Sequence, residues 1–430
     1  MTRNISAVLS AVLLSMLPTA GYSAQTLSEA IELVYTKHPQ VLQSAAEYDE
    51  SVERIDVAKA AYLPSLNVTG DAGYEVVDNS TTRARGDENE IWSRSQVGLE
   101  LRQELFSGYH TFHEVARTEH FAKARQLELA ALREDLTLAG VQAYLDVLRQ
   151  RARFDLAERN LESHEEIFRQ IRTRVDRGVG TRSDLAQISS RLNSANANFL
   201  TAENNLIDAE TDYERVIGEL PEEILEGVTI EEERLPESLE DAEEVVFKLN
   251  PTVKASLVDI NEARSQYART RSSFMPEVDF VMNANYGENV SGTEGKDESY
   301  SAMLELRWNL FNGGGDSAER RAAGYQVEQA RAVNLDAARQ ALQGLKLSWS
   351  AYEVLGRQRA FLENYVRSAE ATRDAYRKEF KLGKRTLIDL LDSENEVLRS
   401  TNEYIEADFD FEASKARILN ALGQLSAVVK

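Results

Sequence analysis

Two periodicities take turns along this chain. Leu66, Val68, Ala72, Tyr74 and Val76 share one face of a period-two pattern. Val278, Phe280, Met282, Ala284 and Tyr286 repeat it, with Asp279, Asn283 and Asn285 opposite. Val97, Leu99, Leu101 and Leu105 alternate with Gly98, Glu100, Arg102 and Glu104. Ala302, Leu304, Leu306, Trp308 and Leu310 alternate with Met303, Glu305, Arg307 and Asn309. Segments of about 10 residues, apolar on one face and charged on the other, predict membrane-spanning β-strands. We place them at about 65–77, 95–106, 277–287 and 300–311. A soluble sandwich with one wet face gives no reason for two such closely matched hairpins. Elsewhere the period is seven. Val147, Phe154, Leu161, Phe168 and Val175 form one column, and Leu185, Leu192, Phe199, Leu206 and Tyr213 another. Leu390, Val397, Tyr404, Phe411, Ile418 and Leu425 form a third. Small residues such as Ala195, Ala202 and Ala209 occupy the companion positions, so paired helices can approach closely as in a coiled coil.

The pattern is duplicated. Pro39, Pro64 and Tyr74 return 212 residues later as Pro251, Pro276 and Tyr286. Leu99-Glu100-Leu101 and Leu105-Phe106 return 205 later as Leu304-Glu305-Leu306 and Leu310-Phe311. Gly178, Thr181 and Asp184 return at the same interval as Gly383, Thr386 and Asp389. Each of these last sets breaks a long helix with glycine and restarts it with a capping residue. They predict the tips of two helical hairpins, near 178–181 and 383–386. The unit reads helix, strand, loop, strand, long helix, tip, helix. It runs over 24–218 and again over 241–430, joined by an acidic surface connector at 219–240 with a short strand at Gly227-Val228-Thr229-Ile230. The opening helix of each unit breaks at its proline, Pro39 or Pro251. Four strands cannot close a barrel of workable size. Several chains must contribute, and three would give twelve strands, an even number within the known range.

Composition narrows the picture. The 430 residues carry a formal charge of −23, too acidic for a general nucleic-acid binder. There is no cysteine, hence no thiolate nucleophile, disulfide or zinc-thiolate site. Arg3, the apolar run Ile5 to Leu17, Pro18 and the small residues Gly21 and Ser23 predict a secretory signal peptide over 1–23. That run falls short of the roughly 20 residues a spanning helix needs.

Candidate chemistry is sparse. His110 and His113 lie one helical turn apart, but no third ligand is placed by spacing. Asn312-Gly313-Gly314-Gly315 stands between a strand and a helix, where phosphate loops occur. Its counterpart Ser107-Gly108-Tyr109 makes a corner-easing role the better reading. Arg85-Gly86-Asp87 is an integrin-type tripeptide, too short to carry an adhesive function. No triad or P-loop is present, and we predict no enzyme, no cofactor and no metal site.

Taken in order, the duplicated openings Tyr62-Leu63-Pro64 and Phe274-Met275-Pro276, the Leu-Phe-x-Gly corners at Leu105 to Gly108 and Leu310 to Gly313, and the two glycine tips resemble the outer membrane efflux protein family of the TolC type. The resemblance covers essentially the whole mature chain. It implies an α+β membrane protein: a homotrimer with a twelve-stranded barrel in outer-membrane lipid and a twelve-helix tunnel across the periplasm. It implies a passive exit channel whose tips dock on a periplasmic adaptor, which links to an inner-membrane ABC or proton-driven pump. Asp389 and Asp392 match the family's paired acidic positions around the tunnel mouth. Arg385 and Asp184 match positions whose polar links hold neighbouring hairpins shut. The simpler reading of Asp184 and Asp389 is capping after a glycine break, and of Asp392 an exposed helix carboxylate. Phe380 matches a position that carries a tyrosine in the best-known member. Gly178, Thr181, Gly383 and Thr386 match the tips that adaptors grip. The absence of a lipid-modified cysteine implies the unlipidated branch, which serves type I protein secretion and sometimes multidrug efflux. A periplasmic coiled-coil adaptor or a surface adhesin is the alternative of a different class.

Overall fold

A computed structural model describes residues 24–429. The expected signal peptide at 1–23 lies outside the described residues. The first unit opens with α1 (Leu27–Lys37) and α2 (Pro39–Ala60). Thr26 and Glu29 form a capping box at the start of α1. Pro39 takes the first position of α2, where its missing N–H is no loss, and His38 accepts from the Gln40 N–H at 3.3 Å. Next come β1 (Ser65–Glu75), the short helix α3 (Ser80–Arg85) and β2 (Trp92–Phe106). The long helix α4 (His110–Asp176) and its return α5 (Arg182–Ile217) complete the unit. The second unit repeats the order with α6 (Leu239–Leu249), α7 (Pro251–Arg269), β3 (Glu277–Glu288), β4 (Lys296–Arg307), α8 (Gly315–Lys381) and α9 (Leu387–Leu422). A last turn, α10 (Leu425–Val428), follows.

The strands form one antiparallel sheet in the order β1-β2-β3-β4. Its register stacks the apolar face across all four strands. Val68 lies opposite Leu99, Leu99 opposite Ala284, and Ala284 opposite Tyr300. The adjacent row is Leu66, Leu101, Met282 and Ala302. Much of this face is open in the single chain, with Val68, Tyr74, Leu304 and Leu306 exposed. The polar face is internally matched, for Arg102 donates to Asp279. β4 begins four residues before the predicted 300–311 and also ends four before it. Its last partner is Glu277, the first residue of β3, opposite Arg307. Trp308 then leaves the ladder and donates from its ring nitrogen to the Phe274 carbonyl at 3.3 Å.

α4 and α8 each run 67 residues, roughly 100 Å at 1.5 Å per residue. α4 passes through Gly140 unbroken because Gly140 is a packing notch. A Cβ there would lie 2.6 Å from Cδ1 of Ile31. In the second unit the pair is exchanged. Leu345 stands where Gly140 was, and Glu243 stands where Ile31 was and pairs with Lys346 at 2.9 Å. Around these positions lie two cores. One joins Ile31, Val34, Tyr144, Tyr213, Ile217 and Leu419. The other joins Ala242, Val246, Leu345, Trp349, Ile418 and Leu422. Each fully buried Ile or Leu contributes about 1.5–3 kcal/mol.

The connector contains no strand at Gly227–Ile230, against the sequence expectation. Side chains of α9 satisfy the backbone of Ile230, the last residue of that stretch, instead. Glu412 accepts from the Ile230 N–H at 2.8 Å, and Lys415 donates to the Ile230 carbonyl at 3.0 Å. These two buried groups also pair with each other at 2.9 Å, so neither charge is left alone. Among the described residues no helix is long and apolar enough to cross a membrane.

Candidate functional site: the hairpin tips

Both tips are built from one backbone device. At the end of α4 the Val179 N–H reaches the Arg174 carbonyl and the Gly178 N–H reaches that of Val175, both at 2.9 Å. At the end of α8 the Lys384 N–H reaches Glu379 at 2.9 Å and the Gly383 N–H reaches Phe380 at 3.0 Å. This is the Schellman arrangement, which requires a left-handed residue. Gly178 (φ +76°) and Gly383 (φ +73°) supply it. Thr181 and Thr386 then cap the returning helices, accepting from the N–H of Asp184 at 3.1 Å and of Asp389 at 3.3 Å. Beneath the turns, Ile167, Ile171, Ile188, Phe380, Leu387, Leu390 and Leu391 form a single core. The two tips of one chain are therefore one packed body.

The predicted residues fall into different circumstances. Asp389 closes a capping box: its Oδ2 accepts from the Thr386 hydroxyl at 2.7 Å and from the Thr386 N–H at 3.3 Å. That hydroxyl bond, helped by the Arg385 charge, holds its carboxyl below the usual aspartate range. Asp184 does not reciprocate in this way. Thr181 shares its hydroxyl with Ser183 at 2.9 Å, and the half-buried Asp184 carboxylate has no hydrogen bond or ion pair among the described residues. Arg385 donates to Glu379 at 2.9 Å and lies 4.0 Å over the Tyr376 ring. The Glu379 bond raises its pKa further. Within one chain, then, Arg385 and Asp184 are not brought together. Asp392 is exposed and meets Arg191 of α5 at 3.4 Å. Gly178 and Gly383 have no atom near the place a Cβ would take, and Thr181 and Thr386 face solvent. Val179 of the first tip is 77% exposed, and Leu382 and Ile388 of the second are open too.

Several residues escaped the sequence reading. Glu379 and Tyr376 hold Arg385. Arg174 stacks on Phe380 at 4.7 Å and so links the two hairpins. Arg191 holds Asp392. The signal for Glu379 and Tyr376 was an acid and an aromatic three apart, on one face of the last helical turn before glycine. Arg377 makes a further link, bonding Ser163 of α4 at 2.8 Å and buried Glu394 of α9 at 2.5 Å. Among the described residues no three His, Asp or Glu side chains are grouped to hold a metal ion.

An apolar-faced sheet joined to two helical hairpins, each with one arm of 67 residues and roughly 100 Å, suits a membrane channel with a tall conduit. Residues 30–219 and 246–424 match the family model described as outer membrane efflux protein. The chain belongs to that family. It is 27% identical over 424 residues to the outer membrane efflux protein BepC of Brucella suis, covering 98% of this chain and 90% of that protein. It is 25% identical to the alkaline protease secretion protein AprF of Pseudomonas aeruginosa, covering 91% and 83%. The Campylobacter jejuni CmeC outer membrane channel shares its fold, with a TM-score of 0.83 at 14% identity over 93% of this chain and 86% of that one. The protein is thus an outer-membrane efflux channel reaching into the periplasm, not an enzyme, and the adaptor and adhesin alternatives are set aside.

Proposed function

We propose that three copies of this chain close a twelve-stranded barrel and a twelve-helix tunnel, forming the passive exit duct of a tripartite export system. The observation that carries this is the sheet. It has one continuous apolar face, and β1 and β4 leave open edges that four strands cannot close by themselves. Residues 24–218 and 241–430 serve as two half-units and 219–240 as an outer strap. The exposed Val179, Leu382 and Ile388 beside open glycines favour docking of a periplasmic adaptor at Gly178, Thr181, Gly383 and Thr386. That adaptor would couple the duct to an inner-membrane pump. Asp389 and Asp392 of three copies would line the mouth with six carboxylates and favour cations. The unpartnered Asp184 carboxylate is free to receive a charge-assisted bond from a neighbouring copy, and Arg385 is its partner in this reading.

Type I secretion of a large unfolded protein is the cargo we favour, supported by the likeness to a protease secretion protein. The likeness to an efflux protein favours small-molecule export as the second reading. The first experiment is single-channel conductance of the detergent-purified protein in a planar bilayer, beside its native mass. A trimer with small, cation-preferring conductance is expected. A monomer without conductance after insertion would sink the proposal. Comparing the secreted proteins and the drug susceptibility of a deletion strain separates the two cargoes.

A further inference from the structure

We propose that the first strand-to-helix corner of each chain is a phospholipid headgroup site, with Tyr109 as its interfacial anchor and Arg271 as the cation for the phosphodiester. The inference rests on the membrane-barrel reading above.

It begins from a backbone outlier. Tyr109 holds φ +67°, one residue after Gly108 at φ +64°. The counterparts 205 residues later are Gly313 (φ +58°) and Gly314 (φ +85°). The second unit thus uses glycine where the first keeps a tyrosine in a left-handed conformation, uncommon for any residue with a Cβ. Tyr109 makes no side-chain cap to α4 that would account for it. Such an outlier points to a use for the side chain itself.

The direction of the ring follows from the ladder. A bulge between Glu104 and Phe106 sets Phe106 opposite Val278, which belongs to the apolar face. Tyr109 packs edge-on against Phe106 with ring centroids 5.5 Å apart. The ring therefore continues the lipid-facing band past the end of β2. Tyr109 is 57% exposed and Phe112 60%. The amphipathic Tyr109 ring at this height suits the boundary between hydrocarbon and headgroups. β2 lies between β1 and β3 of its own chain, so the open sheet edges that would meet a second copy are elsewhere.

The charge completes the site. A Cβ on Gly108 would lie 3.0 Å from the Ser272 carbonyl oxygen, so the corner rests on the turn that carries Arg271. Arg271 immediately precedes Ser272 in that turn, and its charge is felt at His113 of α4, whose pKa is lowered first by burial and then by Arg271. The Arg271 guanidinium is exposed and has no ion pair or hydrogen bond among the described residues. Nearby carboxylates are already engaged. Glu114 is held by Arg117 and Arg269, both at 2.7 Å, and Glu104 by the Thr111 hydroxyl at 2.7 Å. An unengaged arginine fork beside interfacial aromatics suits a phosphodiester.

Native mass spectrometry of the full chain, released from bilayers of phosphatidylglycerol and phosphatidylcholine, tests this. Tyr109→Gly relieves the backbone and should fold at least as well as wild type, yet retain several-fold less phospholipid. Tyr109→Phe should keep most of it. Arg271→Gln should lose retention comparably while leaving oligomeric mass unchanged. Equal retention by wild type, Tyr109→Gly and Arg271→Gln overturns the site. Loss of oligomer with unchanged lipid would make the corner a contact between copies and overturns it too. Displacement of lipid by glycerol phosphate at equal concentration would assign the site to free phosphate instead. Failure of wild type to insert in any bilayer would strike the barrel reading, not the corner.

Discussion

The two hairpin tips share a backbone and differ in nearly every charged side chain. Both turn through a left-handed glycine, both cap with threonine, and both rest on one core. Yet Arg385 of the second tip corresponds to Gly180 of the first, Glu379 to Arg174, and Asp392 to Gln187, each 205 residues apart. Duplication has preserved what the turn requires of the backbone and released the side chains for unequal work. The second tip carries a folded-back arginine and a capped aspartate. The first carries an unpartnered aspartate and two arginines, Arg174 and Arg191, that reach across to the second.

If the second tip is where the channel is held shut, Arg385→Ala should have the largest effect of any tip variant. Loss of a charge-assisted link between copies should raise open conductance several-fold. Glu379→Gln separates the two partners of Arg385. If Glu379 competes with Asp184 for the guanidinium, its removal should tighten the mouth and lower conductance. The glycines break the comparison in another way. A Cβ on Gly180 would lie 2.9 Å from Cγ2 of Val175, so Gly180→Ala should cost about 1–3 kcal/mol by thermal unfolding. At Gly383 space is open and only the positive φ resists, so Gly383→Ala should cost nearer 1 kcal/mol.

The caps differ less. Thr181→Ala should cost about 1 kcal/mol, and Thr386→Ala somewhat more, because the reciprocal bonds to Asp389 go as well. Asp389 also gives the second tip a pH signature. Its folded pKa lies below the ordinary value. Its contribution is therefore complete above the unfolded aspartate pKa of about 3.9 and lost as pH falls through the lowered value. Thr386→Ala should return the carboxyl toward its ordinary pKa, read by NMR titration. The smallest effect is expected from Arg191→Gln. The Arg191–Asp392 contact is exposed, and such pairs contribute about 0–1 kcal/mol. Stability should hardly move, while freeing Asp392 should raise cation preference.

The long-range plan was legible because it rests on periodicity. The heptad columns, the alternating strands and the 205-residue interval needed no partner to be recognised. Local ends were less legible where tertiary neighbours decide them. The alternation continues through Trp308 and Leu310, but the ladder stops at Arg307 because β3 begins at Glu277. Gly227–Ile230 looked like a strand, yet the backbone of Ile230 is met by the side chains of Glu412 and Lys415, nearly two hundred residues away. At the tips, the Thr386 to Asp389 cap could be read from a three-residue spacing. The three-residue spacing of Tyr376 and Glu379 marked a face but not Arg385 as what it holds, and no spacing gave the Arg191–Asp392 contact, since a long flexible side chain takes whichever partner the packed hairpins put within reach.

A chain containing two near copies of one unit faces an assembly problem: either opening helix could dock on either long helix. The exchanged pair, Ile31 on Gly140 in one half and Leu345 with Glu243 turned to Lys346 in the other, acts as a key code against the wrong match. Set against the first long helix, α6 would leave the glycine notch empty and its glutamate facing apolar walls. Set against the second, α1 would drive Ile31 into Leu345. One bulky residue moved from one side of a contact to the other lets each half recognise its own opening helix while both emerge from the same translocation.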